Sequence, residues 1–503
     1  MLPVYVAGVG MTQFGKSSET LVGLLHEAGT RALSNSRVQD IDAIYVAVMN
    51  PEEFTGESNI AAHVAESLGV TGIPAVRLET ASSAGAAALH AAYQGVASGY
   101  YRHVLVIGGE KMTHLSTSTS TRILAEVIDE QERNCGATMP ALAAMVTAKY
   151  CRKYHLSPSR LERVLCAVAL KNHENGVHNP YAQFRQAITK DKYFSSKLVA
   201  TPLRLYDCAP ITDGAAAVVL TSERTDSVVS GIGQGTGPVS LRARESLTAF
   251  PATQIAAAKA YQMAGVSPQE IDCAEVHDAF TPFEVIGTED LGFFRRGRGW
   301  QAILAGQTAV DGKLPINASG GLKSRGHPVG ASGVAQVVEI VRMLRGESGA
   351  QLKREPRRAL AQSIGGLAAN NFVTIIERAK EGSAILPAPI PCARRGSGPG
   401  SVNKDGSTAP VDSDGTIDTF TVLYTTPDGF LPPLTLALIR DAKGSLVMAQ
   451  GEDINHLKIN REVYLHQAAG IFYFTVKSHL RQVREAIGRL LRKTPDNQNR
   501  RKG

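Results

Sequence analysis

The 503-residue chain is 43% hydrophobic and 20% charged, an ordinary globular composition on a length that exceeds a single core and predicts two to four domains. No apolar run approaches the roughly 20 residues that span a bilayer, and the opening "MLPVYVAGVG" reads as a strand rather than a signal peptide, so a cytoplasmic protein without membrane contact is expected. The net charge of +7 is local: from Lys477 to Gly503 nine Lys and Arg face only Glu485 and Asp496, the rest of the chain is near neutral, and no nucleic-acid partner is expected.

After the opening strand, "DIDAIYV" at 40–46 steps from acidic residues into an apolar strand. A polar turn and an Ala-rich helix follow in "ETASSAGAAALHAAYQGVASG" at 79–99, then the strand "HVLVIGGE" at 103–110. An insertion over about 111–205 is expected to hold a helix at 139–154 and a loop, "NHENGVHNPYAQFRQ". "DGAAAVVLTSE" reads as a returning strand. "EIDCAEV" at 270–276 then repeats the pattern of 40–46, followed by a Gly-rich turn, the helix "GVAQVVEIVRMLRG" at 333–346 and the strand "RALAQSIGG" at 358–366. The common order of strand, polar turn, helix and strand predicts two tandem α/β halves, 1–240 and 241–380. Residues 381–410 are rich in Pro, Gly and Ser and read as a flexible linker. Short alternating strands beyond it predict a small β-barrel over 411–475, ahead of a basic tail at 476–503.

Three further stretches carry candidate chemistry. "EVHDAFTPFE" places His277 after an apolar strand, "NASGGLKSRGHPVGASG" places His327 in a glycine-rich loop before a helix, and "QSIGGLAANN" places Ser363 and paired glycines at a strand end. In a twofold repeat these lie on one rim with the turn around Ser82, where the ligands of α/β sheets bind. Imidazoles there supply bases, and glycine amides supply oxyanion donors. The six cysteines (Cys135, Cys151, Cys166, Cys208, Cys273 and Cys392) form no C-x-x-C pair, so neither a zinc ribbon nor a secreted disulfide framework is expected.

The "HDAF" turn, the "NASGGLKSRGHPVGASG" loop and the terminal "GG" turn, in this order, resemble the thiolase superfamily, in particular its archaeal and sterol-carrier-protein branch. "VYVAGVGMTQFGK", "GGEKMTH", "NPYAQFR" and "PLRLYDCAPITDGAAAVVL" extend the resemblance over about 1–380. It implies an α/β fold of two repeated halves in five layers, α-β-α-β-α, and at least a homodimer. It also implies acyl-CoA thioesters as substrates with no permanently bound cofactor and no metal. The 411–475 segment resembles, more weakly, the OB-fold domains found beside such proteins, and the resemblance implies that it hangs from the linker and moves relative to the body.

Carried over by motif, the family's nucleophilic cysteine falls on Ser82, fixed by Gly85 and by "ASG" ending the helix at Gly99. The imidazole beside that nucleophile falls on His327. The imidazole that holds the thioester oxygen falls on His277, and the resemblance implies that both rings donate to that oxygen. The second cysteine falls on Ser363, and the backbone amide that completes an oxyanion hole falls on Gly365. Arg185, Lys190, Lys192 and Lys197 are candidates for the CoA phosphates, and Tyr181 and Tyr206 are candidate tyrosines of the family's aldolases.

Serine at both cysteine positions changes the chemistry. A cysteine at a helix N-terminus beside histidine is readily a thiolate, whereas a serine hydroxyl stays protonated and needs an aligned base. Acyl transfer between thiols through Ser82 passes through an oxygen ester and loses the easy leaving group. The expected activity is therefore making or breaking a C–C bond next to an acyl-CoA thioester, of aldol or retro-aldol type. Acetyl-CoA acyltransferase-type acyl transfer and a non-catalytic acyl-CoA-binding scaffold are the alternatives; Ser82 as a plain helix cap would fit the scaffold.

Overall fold

The computed structural model describes residues 1–379, 412–451, 457–468 and 470–477. The predicted linker, Cys392 and the tail beyond Lys477 lie outside the described residues. Strands β1 (Tyr5–Met11), β2 (Ala43–Ala47), β3 (Ala75–Leu78) and β4 (His103–Glu110) belong to the first half. The short β5 (Leu198–Ala200) and β6 (Leu203–Arg204) close the insertion, and β7 (Gly214–Thr221) returns to the first half. The second half contributes β8 (Ser227–Thr236), β9 (Cys273–Glu275), β10 (Arg358–Gly365) and β11 (Asn370–Arg378).

The two halves share one sheet in the order β3-β2-β4-β7-β1-β8-β11-β10-β9, joined where Tyr5 meets Val228. The repeat is literal: β2 and β4 are parallel neighbours in the first half, as β9 and β10 are in the second. Helix Leu21–Ser36 covers the outer face of the first half and helix Pro251–Ala264 that of the second. Between them run the two helices read from the repeat, Ala84–Ala97 and Ser332–Arg345, which gives the expected five layers. A helix with sheets on either side is buried all round, so its contacts demand small residues. A Cβ on Gly85 would stand 2.8 Å from both the Gly330 carbonyl oxygen and the Val334 nitrogen. Among the described residues no helix is long and apolar enough to cross a membrane.

The insertion departs from expectation in one place. Residues 172–177, read as the start of a loop, complete helix Pro158–Val177. Asn172 and Asn175 are poor helix formers, but their amides are buried and donate to Asp278, Glu284 and the Asn317 carbonyl, and these tertiary bonds outweigh propensity.

Beyond the linker, β12 (Asp412–Leu423), β13 (Leu434–Asp441), β14 (Leu446–Gly451), β15 (Glu462–Ala468) and β16 (Ile471–Val476) form the predicted barrel. The order is β12-β13-β14-β16-β15, closing back on β12, around Ile417, Ile439, Leu465 and Phe474.

The expectation that this barrel hangs free is wrong. β12 continues into the insertion by pairing with β5: the Thr201 amide donates to Val422 (3.1 Å) and the Tyr424 amide to Val199 (3.0 Å). Lys149 and Asp418 form an ion pair at 2.7 Å. Leu423, Leu436, Leu438 and Met448 lie in the same apolar cluster as Leu142 and Met145. Composition marked the linker, but it carried no information about what the outer face of the barrel packs against.

Candidate active site

Ser82 follows an unusual turn. Ala81 has φ of 56°, a left-handed conformation that costs a non-glycine residue energy, and Thr80 and Ser82 pair across it. Ser83, not Ser82, is the N-cap of helix Ala84–Ala97, and its hydroxyl turns back to the Thr80 carbonyl at 2.7 Å. Ser82 therefore does not cap the helix. Its hydroxyl has no hydrogen-bond partner among the described residues, and it sits at the positive end of the helix dipole. Gly365 backs the turn: a Cβ there would lie 2.1 Å from the Thr80 carbonyl oxygen and 2.4 Å from Ser83 Oγ, so a side chain would push the turn out of place.

His277 and His327 come together because Asp278 bolts their two loops to each other. Its buried carboxylate accepts from the Leu322 amide (2.6 Å), the first turn of the glycine-rich segment, and from Asn172 (2.7 Å). Burial and the neighbouring Glu284 raise the Asp278 pKa to about 6. The two imidazole rings then meet edge to face with centroids 5.1 Å apart. Burial, with the Arg325 charge nearby, lowers the His327 pKa to about 3, and burial together with His327 and Arg325 pushes His277 well below its ordinary value. His327 is half-buried and lines the cavity. Both rings are neutral at physiological pH.

The tautomer of His327 follows from its partners. Its Nδ1 lies 2.7 Å from Ser332 Oγ, and that hydroxyl donates to the Pro328 carbonyl at 2.9 Å. The serine proton is thus committed, Nδ1–H of His327 donates to Ser332, and Nε2 is left as an acceptor. With that tautomer, Nε2 of His327 can accept a proton. His277 is different: its buried Nδ1 has no hydrogen-bond partner among the described residues.

Ser82, His277 and His327 line one cavity of about 380 Å³. Its other walls are mainly apolar, with Phe280, Val127 and Ile211 among them. Gly366 also faces it, whereas Gly365 lies behind the turn. Ser363 does not line it; it is buried on β10 with its hydroxyl unpartnered. Lys197 stands at the cavity, exposed, while Arg185, Lys190 and Lys192 are exposed and do not line it. Neither candidate tyrosine reaches it: Tyr181 packs on Arg342 and Tyr206 on His173. Cys208, not singled out from sequence, does line it, with its thiol pKa pushed up to about 12 by burial. The motif "YDCAPITDG" held Cys208 in view, but without its spatial neighbours the thiol was one of six. No group of acidic residues, histidines and cysteines suited to a metal ion exists among the described residues.

Two repeated α/β halves with a serine turn and two neutral imidazoles on one apolar cavity define a layered α/β body with an enzyme-like pocket. Residues 4–224 match the family model "Thiolase, N-terminal domain" and residues 233–378 match "Thiolase C-terminal domain-like". An acetyl-CoA acetyltransferase of Methanothermobacter thermautotrophicus is 38% identical over 389 residues, covering 75% of this chain and 100% of that protein. Among solved structures, a monomeric SCP2-thiolase-like protein type 1 from Mycobacterium smegmatis covers 94% of this chain and 99% of its own, with TM-score 0.71 and 18% identity. The Ltp2–ChsH2(DUF35) aldolase covers 75% of this chain and 98% of its own, with TM-score 0.64 and 22% identity. At those identities the two structures show the shared fold. The chain belongs to the thiolase superfamily of acyl-CoA enzymes.

Proposed function

We propose that this chain makes or breaks a C–C bond next to an acyl-CoA thioester by aldol or retro-aldol chemistry, without a covalent acyl-enzyme. The observation that carries this reading is a neutral, acceptor His327 beside a neutral His277 at a turn whose nucleophile position is Ser82. In the cleavage direction His327 Nε2 takes the proton of the β-hydroxyl. The Cα–Cβ pair moves onto the thioester as an enolate, and an aldehyde leaves. His277 donates a hydrogen bond to the enolate oxygen, while Gly365, behind the turn, holds the backbone in place rather than donating. The enolate carbon then takes the proton back from His327, so the step balances without a redox partner. The negative charge beside His327 raises its proton affinity during the step, which its resting pKa of about 3 does not supply.

The fold neighbour titled an aldolase has the same architecture, and the strand order of the C-terminal barrel fits an OB-type module. The test is incubation with a panel of acyl-CoAs and β-hydroxyacyl-CoAs while following free thiol, aldehyde and intact protein mass. Aldehyde without thiol release and without added mass at Ser82 is expected. A stoichiometric acyl adduct on Ser82 would replace the aldol reading by acyl transfer; no reaction with any thioester would leave the binding scaffold.

We further propose the domain division 1–240, 241–380 and 411–475, and a cytoplasmic homodimer formed at the free edge strand β3, where Val76 is 46% exposed. Sedimentation velocity of the full chain is expected to give twice the monomer mass. A monomer at micromolar concentration would instead match the fold neighbour titled monomeric.

A further inference from the structure

The cavity has a wall that the two repeated halves do not supply. Thr425, just past the end of β12, faces the same space as Ser82, His277 and His327, and so does Val199 of β5. The two are held side by side by the β5–β12 pairing, and the Thr421 hydroxyl adds a bond to the Thr201 carbonyl at 3.0 Å. Leu423, two residues before Thr425, is fully buried in the cluster shared with the insertion helices. Thr425 thus lies in the turn that follows β12, two residues from a packed strand end.

The size and chemistry of the space say what it holds. A dry apolar cavity of about 150 Å³ is enough for benzene. At about 380 Å³, this one is left mostly empty by an acetyl group. Val199, Leu205, Phe280 and Val127 are among its apolar walls, and no carboxylate lines it among the described residues. The charged residue that lines it is the exposed Lys197, and against the remaining, mainly apolar walls an apolar acyl group gains roughly 0.8 kcal/mol per buried methylene.

We propose that the C-terminal barrel, through Thr425, supplies the size-limiting wall of the acyl pocket, and that the ligand is a CoA thioester of an apolar acyl group of roughly six to ten carbons. The inference rests on the acyl-CoA reading above. The test is calorimetric binding of free CoA, acetyl-CoA and octanoyl-CoA to the full chain and to Thr425→Trp, with Thr425→Leu as the milder filling and thermal melts to verify folding. Octanoyl-CoA is expected to bind the parent chain more tightly than acetyl-CoA. Thr425→Trp should weaken octanoyl-CoA by about tenfold or more and acetyl-CoA by less than about twofold, with Thr425→Leu between. Unchanged octanoyl-CoA affinity in both variants would overturn the proposal. So would an equal loss for all three ligands, which would put the wall against the CoA arm instead. Failure of the parent chain to bind any thioester would remove the acyl-CoA reading itself, an outcome visible before any variant is made.

Discussion

A chain ending at Arg378 is expected to be insoluble or to lack a cooperative melting transition, although every residue of both thiolase halves is present. The insertion helices bury Leu142, Met145 and their neighbours against Leu423, Leu436, Leu438 and Met448 of the barrel. Fully burying one such side chain contributes about 1.5–3 kcal/mol, so these four carry roughly 6–12 kcal/mol. That is the scale of the whole net stability of a domain, about 5–15 kcal/mol. The truncation also unpairs β5, leaves Lys149 without Asp418 and frees the Cys135 carbonyl that accepts from Gln450. Size-exclusion chromatography and differential scanning calorimetry of the truncated and full chains are the check. A soluble truncated protein with an unchanged melting temperature would show that the barrel is only an appendage.

His277→Ala and His327→Ala are each expected to lower turnover by about 10²–10³, with acyl-CoA affinity changed little. The first removes a donor to the developing oxyanion, the second the base. They separate through Ser332→Ala: without its acceptor at Nδ1, His327 loses the bond that fixes its tautomer, and turnover should fall while His277 is untouched. Because the His327 pKa lies near 3, its titration should not appear in the turnover profile between about pH 5 and 8. The folding linkage has a definite sign. With the folded pKa lowered from 6.5 to about 3, the stability that His327 contributes is complete above about pH 6.5 and declines toward pH 3 as the unfolded chain takes up the proton first. Steady-state kinetics on the active substrate decides the matter; full turnover in both alanine variants would take the imidazoles out of the mechanism.

What the sequence determined by itself is local or repeated. Apolar runs bounded by acidic residues and glycine turns specify β2, β4, β9 and β10 wherever they end up, because a strand buried on both faces needs continuous apolar side chains. The same order of elements in both halves fixes the duplicated architecture, and with it the arrival of Ser82, His277 and His327 on one rim. What only the tertiary structure decided depends on partners far away in the chain. The helix over 172–177 exists because Asp278, Glu284 and the Asn317 backbone satisfy its asparagines. The proton on His327 is placed by the committed hydroxyl of Ser332, a matter of distance and not of motif. Ser363 and the two tyrosines stand in suggestive sequence and still do not line the cavity, whereas Thr425 stands in unremarkable sequence and lines it. A pattern of residues records which face of its own strand or helix is apolar. It does not record which surface meets that face, and so the junction between barrel and body, hundreds of residues apart at Lys149 and Asp418, was settled only by packing.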